Sequence, residues 1–197
     1  MASAEEFFTT AEAAELAETP PSAIEKAIEE GIMEVRKAPA PKGGARVRRL
    51  LSAKGVYYVA FLKRCDIAFS REQKQRLWAC FKKTPADRLL DAKWNVSDGI
   101  EIHPGKLLSA VRDRVVWYAG ARHRWIELNP EIKGGTPVIK GTRMSVYSLR
   151  GRIDHGDSIE DVQEDNPDLP REAIEAALAY ARANPLVGRP GAKPWQP

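Results

Sequence analysis

At 197 residues and 21.9 kDa, the chain has room for one large domain or two small ones. Its 43% hydrophobic and 29% charged content excludes wholesale disorder. No run of about 18 apolar residues is present to span a bilayer, and the acidic opening MASAEEFFTTAEAAELAE lacks the charged-then-apolar order of an export signal, which points to the cytoplasm.

The net charge is +4, unevenly placed: residues 1–35 hold nine Glu against one Lys, and residues 36–83 hold fourteen Lys and Arg against Asp66 and Glu72. A basic stretch of that density suits phosphate neutralisation, and equally a solvated face without a partner.

In chain order, Thr9 or Thr10 caps a helix running to Glu18, and Pro20-Pro21 breaks it. A second helix carries Ile24, Ala27 and Ile28 on one face and stops at Gly31. Ile32–Val35 reads as a strand, 38–45 (APAPKGGA) as a turn and Arg46–Leu51 as the returning strand. Ser52 caps a third helix with Val56, Tyr57, Val59, Ala60, Phe61 and Leu62. Two helices, a hairpin and a helix resemble the winged helix-turn-helix of MerR-like and excisionase-like regulators, over roughly residues 7–64. The resemblance implies operator DNA as a partner. In such a module the second helix enters the major groove, yet here it carries Glu25, Glu29 and Glu30 against Lys26, a poor match to base edges. DNA contact is therefore assigned to the hairpin, through Arg36, Lys37, Lys42, Arg46, Arg48 and Arg49. The competing expectation makes the second helix a protein-contact surface.

Residues 66–83 read as one further helix that completes an N-terminal domain, 1–83, with Trp78 and Phe81 apolar. Residues 84–125 read as a bridging region, with a short helix over Asp87–Ala92 and a strand-turn-strand over Val96–Ile102 around Asp98-Gly99. A helix from Ser109 follows, with Val111, Val115 and Tyr118 inward; Trp94, Trp117, Tyr118 and Trp125 are expected to pack against neighbours. His103 and His123 stand apart from other ligand types, and Cys65 and Cys80 lack CxxC or Cys/His spacing. The expectation is therefore no metal, no cofactor and two buried thiols.

From Ile126 the text changes. Gly134-Gly135-Thr136-Pro137 and Gly141-Thr142-Arg143 are turns around the short strand Val138-Ile139. Ser145 caps a helix to about His155; Asp157 or Ser158 caps the next, with Ile159 and Val162 inward. Pro170 opens a third with Ile174, Ala177, Leu178 and Ala181 as its stripe. The fold expected for the whole chain is mainly α with small β-hairpins: a winged helix-turn-helix, then a homeodomain-like trihelical domain over 126–184. Together with Asn129-Pro130, Gly156-Asp157-Ser158-Ile159, Pro167-Asp168-Leu169 and Ala177-Leu178-Ala179-Tyr180-Ala181, these motifs resemble the family of domain of unknown function 433, whose members are often antitoxins. The resemblance implies a VapB-type antitoxin of a type II pair: cytoplasmic, a homodimer or higher oligomer, partnered by a PIN-domain (VapC-like) ribonuclease toxin. Lys140 and Arg143 beside the glycines suggest a phosphate cradle, but no GxxxxGK[ST] run opens a helix there, and the expectation is no enzyme.

In that setting the tail, 185–197, is read as an extended toxin-binding arm. Leu186 and Val187 would pack in the toxin's groove, Arg189 and then Lys193 would pair with its metal-binding carboxylates, and Trp195 would anchor the end. The alternative function is a stand-alone DNA-binding transcription regulator without a toxin.

Overall fold

The computed structural model describes residues 6–38, 48–97 and 99–186. Within them the chain is mainly helical, with eight α-helices and three small antiparallel sheets. It divides into two compact units, Met1–Arg124 and Trp125–Pro197.

The first unit starts with β1 (Phe7–Thr9) and α1 (Thr10–Ala17). Thr9 and Glu12 form a capping box: the Thr9 hydroxyl accepts from Glu12 N and the Glu12 carboxylate accepts from Thr9 N, which satisfies two end donors at once. α1 ends on Glu18 in the left-handed region, φ 53°. Its exposed carbonyls are met by arginines: Arg64 donates to Ala17 O at 3.2 Å and Arg114 to Leu16 O at 3.0 Å, and both pair with the Glu18 carboxylate. Cations belong at this negative end of a helix. α2 (Pro21–Glu29) follows with Ile24 and Ala27 buried.

β2 (Arg36–Ala38), β3 (Arg48–Ser52) and β1 make one sheet in the order β1-β3-β2. Ile32–Val35 is thus not the strand that its apolar character suggests. Ile32 and Met33 are both buried, whereas a strand points neighbours to opposite faces. The ladder begins at Arg36, opposite Leu50. Ser52 caps α3 (Ala53–Arg64) through Gly55 N. α4 (Arg71–Lys83) starts later than residue 66 because Ser70 and Gln73 form a second capping box. Tyr58, Trp78, Phe81 and Trp94 form a chain of edge-to-face rings, with centroids 4.7–5.8 Å apart, so Trp78 and Phe81 are core residues.

The stretch expected to bridge two modules lies in the first unit up to Arg124. A 3₁₀ turn (Leu89–Asp91) leads to the hairpin β4 (Trp94–Ser97) and β5 (Ile100–Ile102). α5 spans Gly105–Trp125 and begins four residues before Ser109, where Pro104 O accepts from Leu107 N and Leu108 N. Gly105 is required there, since a Cβ would sit 2.0 Å from Leu90 O. Val111, Val115 and Tyr118 are buried as expected, but Trp117 is 40% exposed. Four-residue spacing puts Arg114, Tyr118 and Arg122 on one face. Tyr118 Oη and Arg122 Nη1 both donate to Glu12 Oε1, at 2.8 and 3.0 Å. Glu12 is only 3% exposed, and these donors satisfy its carboxylate inside the unit.

The second unit opens with β6 (Ile126–Glu127) paired to β7 (Val138–Ile139), Ile126 opposite Ile139. Three helices follow: α6 (Val146–Asp154), capped by Ser145; α7 (Ile159–Asp165), capped by Ser158; and α8 (Arg171–Ala183), with Pro170 at its N-cap. Val138, Ile139, Val146, Leu149, Val162, Ile174 and Ala177 are fully buried and form its core. Among the described residues no helix is long and apolar enough to cross a membrane.

Candidate functional site

Strand alternation sorts the cations of the β2–β3 hairpin. Lys37 stands directly opposite Arg49 on one side of the sheet; Arg36, opposite Leu50, and Arg48, opposite Ala38, fall on the other. All four are exposed. Like charges facing each other across a ladder destabilise it, and only one member of the Lys37/Arg49 pair has a local counter-ion: Arg49 Nη1 meets Glu25 Oε2 of α2 at 2.6 Å. Arg36 lies over the Phe7 ring, 5.2 Å from its centroid. Lys37 and Arg48 make no ion pair among the described residues. Lys42 and Arg46 lie outside the described residues.

The acidity of α2 is partly consumed. Glu25 goes to Arg49 and Glu30 to Lys74 Nζ at 3.1 Å, while Arg71 donates to Glu30 O. Glu29 stays exposed. α2 therefore presents less negative charge than its sequence suggests, and part of its acidity anchors the basic hairpin and α4.

On the Arg36 side of the sheet an open cleft of about 440 Å³ is lined by Phe7, Glu34, Arg36, Ser52, Lys54 and Trp78, with Lys82 at its edge. Lys54 does not stand out in the sequence, and its only clue is its place in the first turn of α3, two residues after the Ser52 cap; Trp78 stands out there as an aromatic near lysines that reads as core.

In the second unit the GGTPVIKGTR motif forms a tight structure. Gly141 takes φ 78°, a region open to glycine at no steric cost. Thr142 Oγ1 donates to Ile139 O and accepts from Met144 N, and Lys140 N donates to Trp125 O at 2.8 Å. The turn lines a cavity of about 730 Å³ together with Trp125, α6 and the loop before α8. Lys140 and Arg143 on its rim form no ion pair among the described residues. The buried Trp125 Nε1 has no hydrogen-bond partner among the described residues. The neighbouring acids, by contrast, are mostly engaged. Arg152 holds Asp157 at 2.6 Å and Asp165 at 2.7 Å; Arg171 holds Glu160 and Glu175. The hydrogen bond from Arg171 keeps the Glu160 carboxyl below its ordinary range, and the Ser158 hydroxyl does the same for Asp161. The α7 surface is thus less repellent to phosphate than its run of acids implies.

Residues 126–181 match the family described as "Protein of unknown function (DUF433)". The chain is also 37% identical over 106 residues to "Uncharacterized protein y4eO" of Sinorhizobium fredii (strain NBRC 101917 / NGR234), covering 53% of this chain and 48% of that protein. The chain thus spans about half the length of the curated relative it matches. No solved structure is significantly similar. The expected tail contacts fall almost wholly beyond view: Leu186 is 68% exposed, while Val187, Arg189, Lys193 and Trp195 lie outside the described residues. Cys65 and Cys80 are free, half-buried thiols, both pushed up by desolvation. Among the described residues no three His, Cys, Asp or Glu side chains group as metal ligands.

Proposed function

We propose that the protein is a cytoplasmic, non-enzymatic antitoxin of a type II pair, a homodimer or higher oligomer that neutralises a PIN-domain (VapC-like) ribonuclease and binds operator DNA. The observation that carries this reading is the match of residues 126–181 to the family, whose motifs resemble VapB-type antitoxins. In this reading the order helix, helix, hairpin, helix over Thr10–Arg64 is a winged helix-turn-helix and α6 to α8 form a trihelical domain. The hairpin takes the phosphates through Arg36, Lys37, Lys42, Arg46, Arg48 and Arg49, and the lack of an ion pair at Lys37 and Arg48 among the described residues supports that role.

Toxin contact is assigned to the second unit, including the tail, residues 185–197. Leu186, exposed just past α8, supports an arm that continues through Val187, Arg189, Lys193 and Trp195. A guanidinium at Arg189 would displace metal from a carboxylate cluster by bidentate hydrogen bonding.

The test is co-expression with the product of the adjacent reading frame where that frame encodes a small, carboxylate-rich ribonuclease. A stable complex and rescue of growth are expected, with rescue lost when residues 186–197 are deleted. Growth arrest that persists with the intact chain, without complex formation, contradicts the antitoxin reading. Full rescue by the truncated chain removes the tail's role alone. One observation favours a stand-alone DNA-binding regulator instead: the hairpin cations lie in a unit wholly outside the matched residues.

A further inference from the structure

α5 turns Leu108, Val111, Val115, Tyr118 and Ala119 into the first unit. Its other side is a seam of Ala110, Asp113, Trp117, Gly120 and Arg124, all exposed. Their alternating spacing of three and four keeps them on one helix face. Two of these residues have no explanation within their own chain. Trp117 leaves 40% of its surface in solvent, a large ring where a helix exterior ordinarily carries polar groups. Gly120 weakens a helix interior relative to alanine. It is not among the glycines with positive φ, and a Cβ there would meet nothing within 4 Å. Its missing side chain leaves a hollow on the helix surface, one turn from the Trp117 ring. Asp113, on the same seam, makes no ion pair among the described residues.

We infer that this seam is a homodimer interface, on which α5 of a second copy of the chain packs antiparallel about a twofold axis level with Tyr118 and Ala119. The inference rests on the oligomeric part of the reading above and names its surface. A twofold interface is self-complementary, residue i meeting j while j meets i, and here a projection and a hollow lie one turn apart on one seam. Centred between Tyr118 and Ala119, the antiparallel pair lays each Trp117 on Gly120 of the other copy. The same register brings each Asp113 to Arg124 of the other copy, so shape and charge are matched together. A parallel pair in register would instead oppose Asp113 to Asp113 and Trp117 to Trp117. Arg124 keeps an interaction within its own chain, and the five N–H donors of a guanidinium leave room for a second carboxylate. Glycine at the crossing lets the helix axes approach to roughly 8 Å, the near end of the usual range. A seam of this length makes a small interface, and the dimer is reversible.

The experiment follows the full chain by sedimentation velocity over a concentration series, where a reversible monomer–dimer equilibrium is expected. Gly120→Leu fills the hollow and should abolish the dimer at concentrations where the parent chain is paired. The urea midpoint of the same variant, measured on dilute chain, should hold or rise, because leucine favours a helix over glycine and meets open space. Asp113→Arg should weaken the dimer about tenfold or more by setting like charges together. Adding Arg124→Asp should restore it, and no recovery overturns the antiparallel register. Dimerisation that survives Gly120→Leu overturns this face and leaves the oligomeric reading to another surface. A chain that stays monomeric across the series overturns the face and the oligomeric reading together, while the co-expression test of antitoxin function stands apart. Loss of the dimer with a lowered midpoint in the dilute chain shows that Gly120 serves its own fold and overturns its assignment as the seat of Trp117.

Discussion

Both units spend acids on internal pairs, but they leave their cations in different settings. In the second, Asp157, Glu160 and Asp165 are spent on Arg152 and Arg171, and Lys140 and Arg143, in no ion pair among the described residues, line one cavity. In the first, a buried carboxylate is locked by donors from α5, while the hairpin sets Lys37 against Arg49 and leaves Lys37 and Arg48 without an ion pair among the described residues. The difference teaches that the sign of a sequence stretch says little about binding until its pairs are known. Many of the acids of α2 and α7 are structural, and of the described hairpin cations Lys37 and Arg48 make no ion pair among the described residues.

The largest effect should come from breaking the internal pair of the first unit. Glu12→Ala leaves Arg122 and the Tyr118 hydroxyl without their buried acceptor. It should cost about 3–5 kcal/mol, read as a fall in the urea midpoint at unchanged slope. An unaltered midpoint would mean that α5 does not depend on that carboxylate.

Alkaline pH gives the next effect. Tyr57 is buried, and desolvation first, with Asp113 opposing Arg112 second, raises its pKa from 10.0 to about 12. A raised folded-state pKa means that the folded chain holds the proton more tightly. The stabilisation is therefore complete below pH 10 and is lost as pH rises toward about 12, up to about 2–3 kcal/mol. Denaturation midpoints across that window should decline, and absorbance should show a phenol ionising late.

A smaller, functional effect sharpens the contrast at the hairpin. Glu25→Gln frees Arg49 from its ion pair and removes a carboxylate beside the basic face, so duplex affinity should rise and its salt slope should steepen. Weaker binding would show that Glu25 positions Arg49 for the duplex. Smallest of all, Arg152→Ala breaks exposed ion pairs, which carry little stability. It should barely move the midpoint and leave duplex binding unchanged.

Local structure was legible wherever it depended on neighbouring residues. The caps at Thr9, Ser52, Ser145 and Ser158, the Pro170 start and the Val138-Ile139 strand all follow from short-range chemistry. Ser70-x-x-Gln73 carried the same signal for α4 and was available to be read. The start of α5 was harder, since Gly105 is fixed by Leu90 O from another element. The Glu12–Arg122 pair joins residues 110 positions apart, and no periodicity anticipates it. The hairpin cations could be named in sequence, but only the register divides them between two faces. Arg49's counter-ion is a product of tertiary packing alone.

The most direct test of this division compares two double variants in one assay, the salt dependence of duplex affinity by fluorescence anisotropy. Lys37→Ala with Arg48→Ala removes hairpin cations that make no ion pair among the described residues, and Lys140→Ala with Arg143→Ala removes two such cations of the second unit. The first pair should weaken binding and lower the log–log slope by about 1.8, at about 0.9 per lost phosphate contact; the second should leave both unchanged. An unaltered slope in the hairpin variant, with a reduced one in the Lys140/Arg143 variant, would contradict the account.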